Sequence, residues 1–356
     1  MKILREYRWH RMIDTAKGLF RSGPPAIGVD VGSRFLKTVV LKKNSHGLSL
    51  TDFSIQAVEE PSSQDEPSYA ELVESLKEKL TVPLHTIGTS LSGPSVLIKS
   101  LILPVMTEEE LREHLALELD RYIALDVQDV FWDVCYQNVR QEGTEDQQEH
   151  FLVVAKKECV EHQVEAFRRY GVTLQFVDID AFALINLVTY NYGNEGTCLL
   201  ANIGPTGIVM VIIAEGHPRY IRKVVYEAEW YGDLLDQVFL PQRSLGTRKE
   251  LGASEALLLE QFLQETRQRI VETLEGFSDS STVVIDRGIL LAGGYAVVPD
   301  MASTLANSFG MPVRLLDPFQ WITVPQAIQE DPAFQQTAPL MSVAVGVALR
   351  GALGHD

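Results

Sequence analysis

Hydrophobic residues along this chain follow two spacings that alternate with each other. Short apolar runs bounded by turn residues predict strands, and apolar residues at every third or fourth position predict helices. The predicted strands are 27–31, 36–42, 48–57, 86–91, 96–103, 130–136, 150–155, 175–179, 197–201, 208–214, 219–226, 288–292 and 312–316. The predicted helices are 69–80, 107–122, 157–170, 182–192, 254–277, 299–309 and 339–353. This succession predicts an α/β protein.

The order of the elements indicates several units. Residues 85–174 form an α/β block that is predicted to be an inserted subdomain, with a capping box at Thr107 and Glu110 and an acidic loop at 141–149. The predicted first domain combines 26–84, 175–196 and 340–356, and the predicted second domain covers 197–339.

The N-terminal segment differs from the rest. Residues 1–25 carry six basic residues against two acidic ones, and their apolar residues recur at helical spacing. A basic amphipathic helix can lie on an anionic membrane or dock on a partner, and it can equally pack on the acidic body of its own chain. Both alternatives remain open; the first predicts peripheral membrane contact through residues 1–22.

The composition of the chain argues against several classes of function. The chain has 356 residues, enough for two domains, and a formal net charge of −17, which argues against a nucleic-acid-binding protein. Three cysteines without a CxxC pair indicate a reduced, cytoplasmic setting with buried thiols rather than a zinc site. The uncharged stretch 196–214 contains a Gly-Pro-Thr-Gly turn, so it predicts two strands instead of a membrane span.

The most informative pattern is a near-repeat of strand, polar residue, glycine and strand. Residues 27–33 read Ile-Gly-Val-Asp-Val-Gly-Ser, and residues 199–206 read Leu-Leu-Ala-Asn-Ile-Gly-Pro-Thr. Glycine lets the backbone of a turn approach a phosphate, and turn N–H groups can hold its oxygens. An acidic residue at the strand end, Asp30 in the first copy, can hold the water shell of a metal ion. Two such hairpins that face each other could clamp a polyphosphate.

A third glycine motif lies further along the chain. Residues 289–295 read Ile-Leu-Leu-Ala-Gly-Gly-Tyr, and a strand that ends in paired glycines before a helix can admit a flat adenosine. Each motif alone is typical of an ordinary tight turn. The ordered set of three, separated by an α/β insertion, is more specific.

Other candidate chemistry is weaker. Asp178 and Asp180 could be paired carboxylates on one strand face, but we favour the interpretation that Asp180 caps the following helix. The eight histidines are scattered and show no metal-ligand spacing.

The three motifs resemble the two phosphate motifs and the adenosine motif of the actin, Hsp70 and sugar-kinase superfamily. A closer resemblance is to the PilM family of type IV pilus assembly proteins. The segments that carry it are 28–37 (GVDVGSRFLK), 91–104 (LSGPSVLIKSLILP), 107–125 (TEEELREHLALELDRYIAL), 151–156 (FLVVAK), 176–184 (FVDIDAFAL), 289–294 (ILLAGG) and 341–351 (MSVAVGVALRG). They span nearly all of the chain after residue 25, in family order.

This resemblance implies a duplicated actin-like ATPase (ribonuclease H-like) fold with an inserted α/β subdomain, as in FtsA and PilM, and ATP and Mg²⁺ as cofactors. The implied nucleotide-binding residues are Asp30, Gly32, Ser33 and Lys37 from the first motif, Asn202, Gly204 and Thr206 from the second, and Gly293 and Gly294 from the third. The first set would face the β- and γ-phosphates, with Asp30 holding Mg²⁺ through water. The second set would lie opposite, and the third would approach the adenosine.

The chain departs from the family pattern at several positions. Asn202 replaces an aspartate and so loses a charge, Tyr295 replaces a third glycine, Glu227–Trp230 replaces a Gly-Gly pair, and 123–126 replaces the family IPFP. We therefore expect ATP binding with slow or no hydrolysis.

Two functions are weighed. The resemblance implies a nucleotide-binding scaffold of type IV pilus or related secretion machinery, located in the cytoplasm and peripheral to the inner membrane. Its implied partners are the N-terminal cytoplasmic tail of a PilN-like membrane protein and other pilus assembly proteins. The alternative is an active ATPase or a sugar-kinase-like phosphotransferase, but no sugar-site motif is recognisable and Asn202 removes one acidic position.

Overall fold

The computed structural model describes residues 24–58, 86–135, 137, 146–205, 207–226, 252–278, 283–298 and 300–353. The predicted helix at 69–80 and the basic segment up to residue 23 lie outside these ranges. Within them the α/β expectation is confirmed. Among the described helices, none combines the length and the apolar character needed to cross a bilayer.

The described elements follow the predicted order. Strands β1 to β14 cover Ala26–Val31, Phe35–Asn44, Gly47–Ala57, Thr86–Leu91, Val96–Pro104, Val130–Cys135, Gln147–Lys156, Phe176–Ile179, Thr197–Ile203, Gly207–Ala214, His217–Val225, Ile289–Ala292, Val313–Leu315 and Ile322–Thr323. Helices α1 to α8 cover Glu108–Tyr122, Lys157–Arg169, Asp180–Tyr192, Ala253–Ser278, Met301–Phe309, Gln326–Gln329, Pro332–Thr337 and Ser342–Leu353. The predicted acidic loop at 141–149 ends early, because β7 already begins at Gln147 and pairs with β5.

Two sheets repeat one topology. In the first sheet, β1, β2 and β3 form an antiparallel meander, and β4 and β8 continue the sheet as parallel strands beside β1. In the second sheet, β9, β10 and β11 form the meander, and β12 and β13 are the parallel strands beside β9. Because β1 and β9 are equivalent central strands, their carboxyl ends carry the two phosphate-type motifs to corresponding places.

The structure corrects two boundaries of the predicted domains, at residues 85 and 340. Strand β4 is hydrogen-bonded between β1 and β8, so the insertion begins after Leu91 and not at residue 85. Strand β14 pairs with β3, and Phe334 packs on Phe53 with ring centroids 5.1 Å apart. The chain therefore returns to the first domain before residue 340. A two-residue strand gives no periodicity, which is why the sequence did not reveal this return.

The insertion is a three-stranded sheet, β5-β7-β6, with α1 on one face. Helix α1 begins at the predicted capping box: the Thr107 hydroxyl accepts from the Glu110 N–H at 3.3 Å, and the Glu110 carboxylate accepts from the Thr107 N–H at 2.7 Å. Leu111, Leu115 and Leu119 are the buried residues of this helix. The opposite face of the sheet and helix α2, which also belongs to the insertion, join the core of the first domain beside β4.

Helix α8 holds the first domain together by close approach of its backbone. An added Cβ at Gly28 in β1 would lie 2.0 Å from the carbonyl oxygen of Ala344 in this helix. Near its end, Arg350 forms a buried ion pair with Asp178 at 3.2 Å and stacks on Phe176 at 4.9 Å from the ring centroid. This packing fixes the carboxyl ends of β1 and β8, where the candidate site lies.

Candidate functional site

The two repeated hairpins face each other across one cleft of about 330 Å³. Its walls come from both domains: the β1–β2 and β9–β10 turns, strand β11, the glycines after β12, and the first residues of α3 and α8. Eight of the nine residues predicted to bind nucleotide line this cleft: Asp30, Gly32, Ser33, Lys37, Asn202, Gly204, Gly293 and Gly294. The ninth, Thr206, lies outside the described residues. The fold thus brings together residues that are far apart in the sequence.

The glycine N–H groups of the two hairpins have structural partners. The Gly32 N–H donates to the Phe35 carbonyl at 3.0 Å, and the Gly204 N–H donates to the Gly207 carbonyl at 2.9 Å. These two bonds close equivalent turns and confirm that the hairpins are repeats. Because both N–H groups are used within the turns, the lysines of the cleft become the main candidates for holding phosphate oxygens.

Lys37 and Asp30 form the charged centre of the first hairpin. They are directly opposite each other in the β1–β2 pairing, and the Lys37 ammonium donates to Asp30 Oδ2 at 2.5 Å. Asp30 is 6% exposed, and Lys37 occupies only one of its two oxygens in this bond. A carboxylate at the cleft with an oxygen outside this bond fits a role as acceptor for a metal-bound water.

The glycine motif after β12 leaves space on its cleft side. A Cβ at Gly294 would meet nothing within 4 Å, whereas a Cβ at Gly293 would lie 2.4 Å from the Ile203 carbonyl oxygen. Tyr295, which replaces the family's third glycine, packs its ring on Phe262 at 6.0 Å and is 2% exposed. Because its ring packs in the hydrophobic core of the second domain, the replacement of glycine by Tyr295 does not block the cleft. The wall beside Gly294 can therefore accept a flat ring.

The interpretation of Asp180 as a helix cap is wrong. Helix α3 begins with Asp180 itself, and the apolar residue Ile179 occupies the cap position. The Asp180 carboxylate accepts from the Ala181 N–H at 2.8 Å and lines the cleft. A signal for this was present in the sequence, because Asp180 follows a parallel strand and α/β sheets bind ligands at the carboxyl ends of their strands.

The alternative interpretation, a pair of catalytic carboxylates, is also wrong. Asp178 is fully buried beside Arg350 and does not line the cleft, so the two acids have separate roles. Asp178 carries a buried ion pair, and Asp180 faces the site.

Lys223 in β11 is a cleft residue that no sequence pattern identifies. Its ammonium donates to the Gly93 carbonyl on the opposite side of the cleft. Burial lowers the pKa of Lys223, and attraction by Asp180 opposes that shift. Lysine is common on the edge strands of sheets, where it prevents pairing with the strands of other molecules. A lysine in β11 is therefore not in itself a sign of a binding site.

Asp180 has an unusual proton affinity. Burial raises its pKa to about 6; the Asp30 and Asp178 carboxylates add to the rise, while Lys223 and the Ala181 N–H oppose it. A carboxyl group with this pKa can accept a proton near neutral pH. The cleft therefore retains a potential base although Asn202 has replaced an aspartate.

We expect Asp180→Asn to stabilise the protein by up to about 3 kcal/mol above pH 6, because one pKa unit corresponds to about 1.4 kcal/mol. The pKa of about 6 in the folded protein lies above the ordinary 3.8. Ionisation of Asp180 therefore destabilises the folded protein, and this destabilisation is absent below about pH 4 and complete above about pH 6. Urea unfolding of both proteins from pH 4 to 8 measures this. Asp178→Asn is the matched control and should destabilise, because it leaves Arg350 buried without its partner charge. A stability difference for Asp180→Asn that is constant with pH would contradict the prediction.

A second depression of about 470 Å³ lies next to the cleft, between the first domain and α2. Gly32, Ser33 and Ser92 line both spaces, so the β1–β2 turn is a shared wall. Beneath it, the Gln163 side-chain amide donates to the Thr89 hydroxyl at 2.7 Å and is buried. We call this depression the groove. Its α2 side is polar and is lined by Glu158, Cys159 and His162.

Comparison with one solved structure supports the fold. The chain is similar to the PilM–PilN type IV pilus biogenesis complex, with a TM-score of 0.73 at 21% identity, over 92% of this chain and 98% of the other. Similarity to ethanolamine utilization protein EutJ from Carboxydothermus hydrogenoformans is weaker, with a TM-score of 0.48 at 12% identity over 98% and 93% of the two chains. A Bacteroides thetaiotaomicron protein with an actin-like ATPase fold gives 0.44 at 10% identity over 86% and 95%.

Comparison with protein families agrees with the strongest of these similarities. The family model described as type IV pilus assembly protein PilM matches residues 28–352, which include both repeated hairpins, the insertion and helix α8. Together with the duplicated sheets, this match confirms the actin-like ATPase fold, and the chain belongs to the PilM family of type IV pilus assembly proteins.

Proposed function

We propose that this chain is a nucleotide-binding scaffold of type IV pilus assembly that holds the cytoplasmic tail of a PilN-like membrane protein at the inner membrane. Nucleotide binding is supported by one observation: eight predicted residues from three distant motifs line one cleft. The family match and the similarity to the PilM–PilN complex support the scaffold half.

The residues of the cleft fit ATP with Mg²⁺. Lys37 and Lys223 would bind phosphate oxygens, Asp30 would accept from water on the metal ion, and the open side of Gly294 would receive the adenine. Bound Mg²⁺ would supply charge neutralisation between phosphate groups. Asn202 keeps hydrogen-bonding capacity on the opposite wall but has no charge to add.

The groove beside the cleft is the site that we assign to the membrane protein's tail. It lies between the first domain and α2, and it shares the β1–β2 turn with the cleft. A short tail that becomes ordered in such a groove loses conformational entropy, so moderate affinity is expected.

We expect Glu158→Arg to weaken binding of the PilN-like N-terminal peptide at least about tenfold, because the longer side chain of opposite charge projects into the groove. Glu161→Arg is the matched control: Glu161 is exposed on the same helix but does not line the groove. Fluorescence anisotropy with a labelled peptide measures both affinities, and thermal melting checks that both variants are folded. Equal peptide affinity for the two variants would contradict this groove, and no binding by the unmodified chain would contradict the partner itself.

A further inference from the structure

Lys223 and Asp180 separate the cleft from another cavity. This cavity of about 290 Å³ is bounded by β5 of the insertion and by β10 and β11 of the second domain. Lys223, Asp180, Val209 and Val225 line both spaces. The Lys223 side chain therefore stands where the cleft, the insertion and the second domain meet.

The acceptor of the Lys223 ammonium is at the entrance to the insertion. Gly93 has a φ of +82° and begins the short 3₁₀ turn Gly93–Ser95, which leads from β4 into β5. Its carbonyl oxygen also accepts from the Val96 N–H at the first residue of β5. The lysine thus ties strand β11 of the second domain to the turn from which the inserted subdomain emerges.

The two lysines of the cleft differ in their partners. Lys37 is bonded to a carboxylate, Asp30, at 2.5 Å, whereas Lys223 donates to the neutral Gly93 carbonyl. Both bonds are charge-assisted, because the ammonium donor is ionised. An anionic acceptor adds the attraction between opposite charges, which a neutral carbonyl does not offer. A polyphosphate in the cleft would offer Lys223 a stronger acceptor than the carbonyl that it now holds.

We propose that Lys223 is a phosphate sensor, which releases the Gly93 carbonyl when a polyphosphate occupies the cleft and so loosens the inserted subdomain from the second domain. This inference rests on the proposed nucleotide binding and adds its regulation. The released turn begins at Ser92 and Gly93, and Ser92 also lines the groove assigned to the peptide. Nucleotide binding and peptide binding are therefore coupled through one turn.

The test is hydrogen–deuterium exchange of the full chain, followed in peptides that cover residues 92–102. In the unmodified protein, a non-hydrolysable ATP analogue with Mg²⁺ should speed exchange there at least about threefold, because the turn loses a tie to the second domain. Lys223→Met should show the faster exchange without any ligand and little further change with it. It should also lower affinity for the analogue about threefold to tenfold in titration calorimetry.

Arg222→Met is the matched control on the same strand. Arg222 pairs with Glu272 at 2.9 Å on α4, so its loss removes a cation from β11 without touching Gly93. It should exchange like the unmodified protein and respond fully to the analogue. If Lys223→Met and Arg222→Met give the same exchange at 92–102, the tie to Gly93 is absent and the sensor is overturned.

Failure of the proposed function gives a different result. If the unmodified protein binds no ATP analogue at millimolar concentration, the nucleotide assignment fails, and inorganic tripolyphosphate becomes the probe. Faster exchange at 92–102 with tripolyphosphate supports the sensor without a nucleotide. Binding of either ligand with unchanged exchange, or no binding of tripolyphosphate, overturns the sensor.

Discussion

Gly346→Val is expected to lower the free energy of unfolding by about 4 kcal/mol, at the upper end of what overpacking causes. Gly346 lies in α8 where this helix crosses α3, and a Cβ there would be 1.9 Å from the Ala183 carbonyl oxygen. Both atoms belong to regular helices, so no flexible side chain can move to make room. The helices must separate, and the contact with β1 at Gly28 is lost with them.

Urea unfolding followed by circular dichroism measures this effect. Gly294→Ala is the matched control, because a Cβ at Gly294 meets nothing within 4 Å. It should change stability by less than about 0.5 kcal/mol. A midpoint for Gly346→Val within error of the control would mean that α8 does not approach α3 as closely as the structure has it.

Lys37→Met is expected to weaken ATP binding by about tenfold to over a hundredfold, since a charge-assisted contact contributes roughly 1.5–3 kcal/mol. The substitution removes a phosphate donor and also leaves Asp30, which is 6% exposed, without the ammonium that neutralises it. An unneutralised carboxylate next to the phosphates repels them, which adds to the loss. The effect should be greatest for the triphosphate and smallest for adenosine, because the lysine lies at the phosphate end of the cleft.

Titration calorimetry with a non-hydrolysable ATP analogue and Mg²⁺ gives the affinities, and phosphate release is followed in parallel. Lys42→Met is the matched control, because Lys42 is exposed on the same strand and does not line the cleft. Equal affinities for Lys37→Met and Lys42→Met would show that the first hairpin does not hold the phosphates. Rapid turnover of ATP by the unmodified chain would contradict the expectation of slow or absent hydrolysis.

Much of the fold could be read from local pattern. The strands of both meanders and helices α1, α2 and α4 were predicted to within three residues because their apolar spacing is regular. The capping box at Thr107 and Glu110 was also predicted, since both partners are three residues apart. Such features depend on neighbours in the chain, which the sequence displays directly.

Roles that depend on distant neighbours were missed. The sequence favours Asp180 as a helix cap, but burial beside Asp30, Asp178 and Lys223 makes it a cleft carboxyl with a pKa of about 6. Strand β14 and the position of β4 were assigned to the wrong units because sheet neighbours are set by pairing across the fold. Tyr295 departs from the family's third glycine, and only the tertiary structure shows that its ring packs on Phe262.

The sequence alone therefore predicted the fold class, the family and the three motifs, because the residues of each motif are close together along the chain. The meeting of these motifs depends on the tertiary structure, because Asp30, Asn202 and Gly293 are remote in sequence. Pairing of β9 with β12 brings Asn202 and Gly293 together, and Asp30 joins them only because the sheet that contains β1 faces the sheet that contains β9 across the cleft. The tie between Lys223 and Gly93 has no sequence signature at all. Lysine and glycine are common residues, and their contact arises only because the second domain packs against the turn that leads into the insertion.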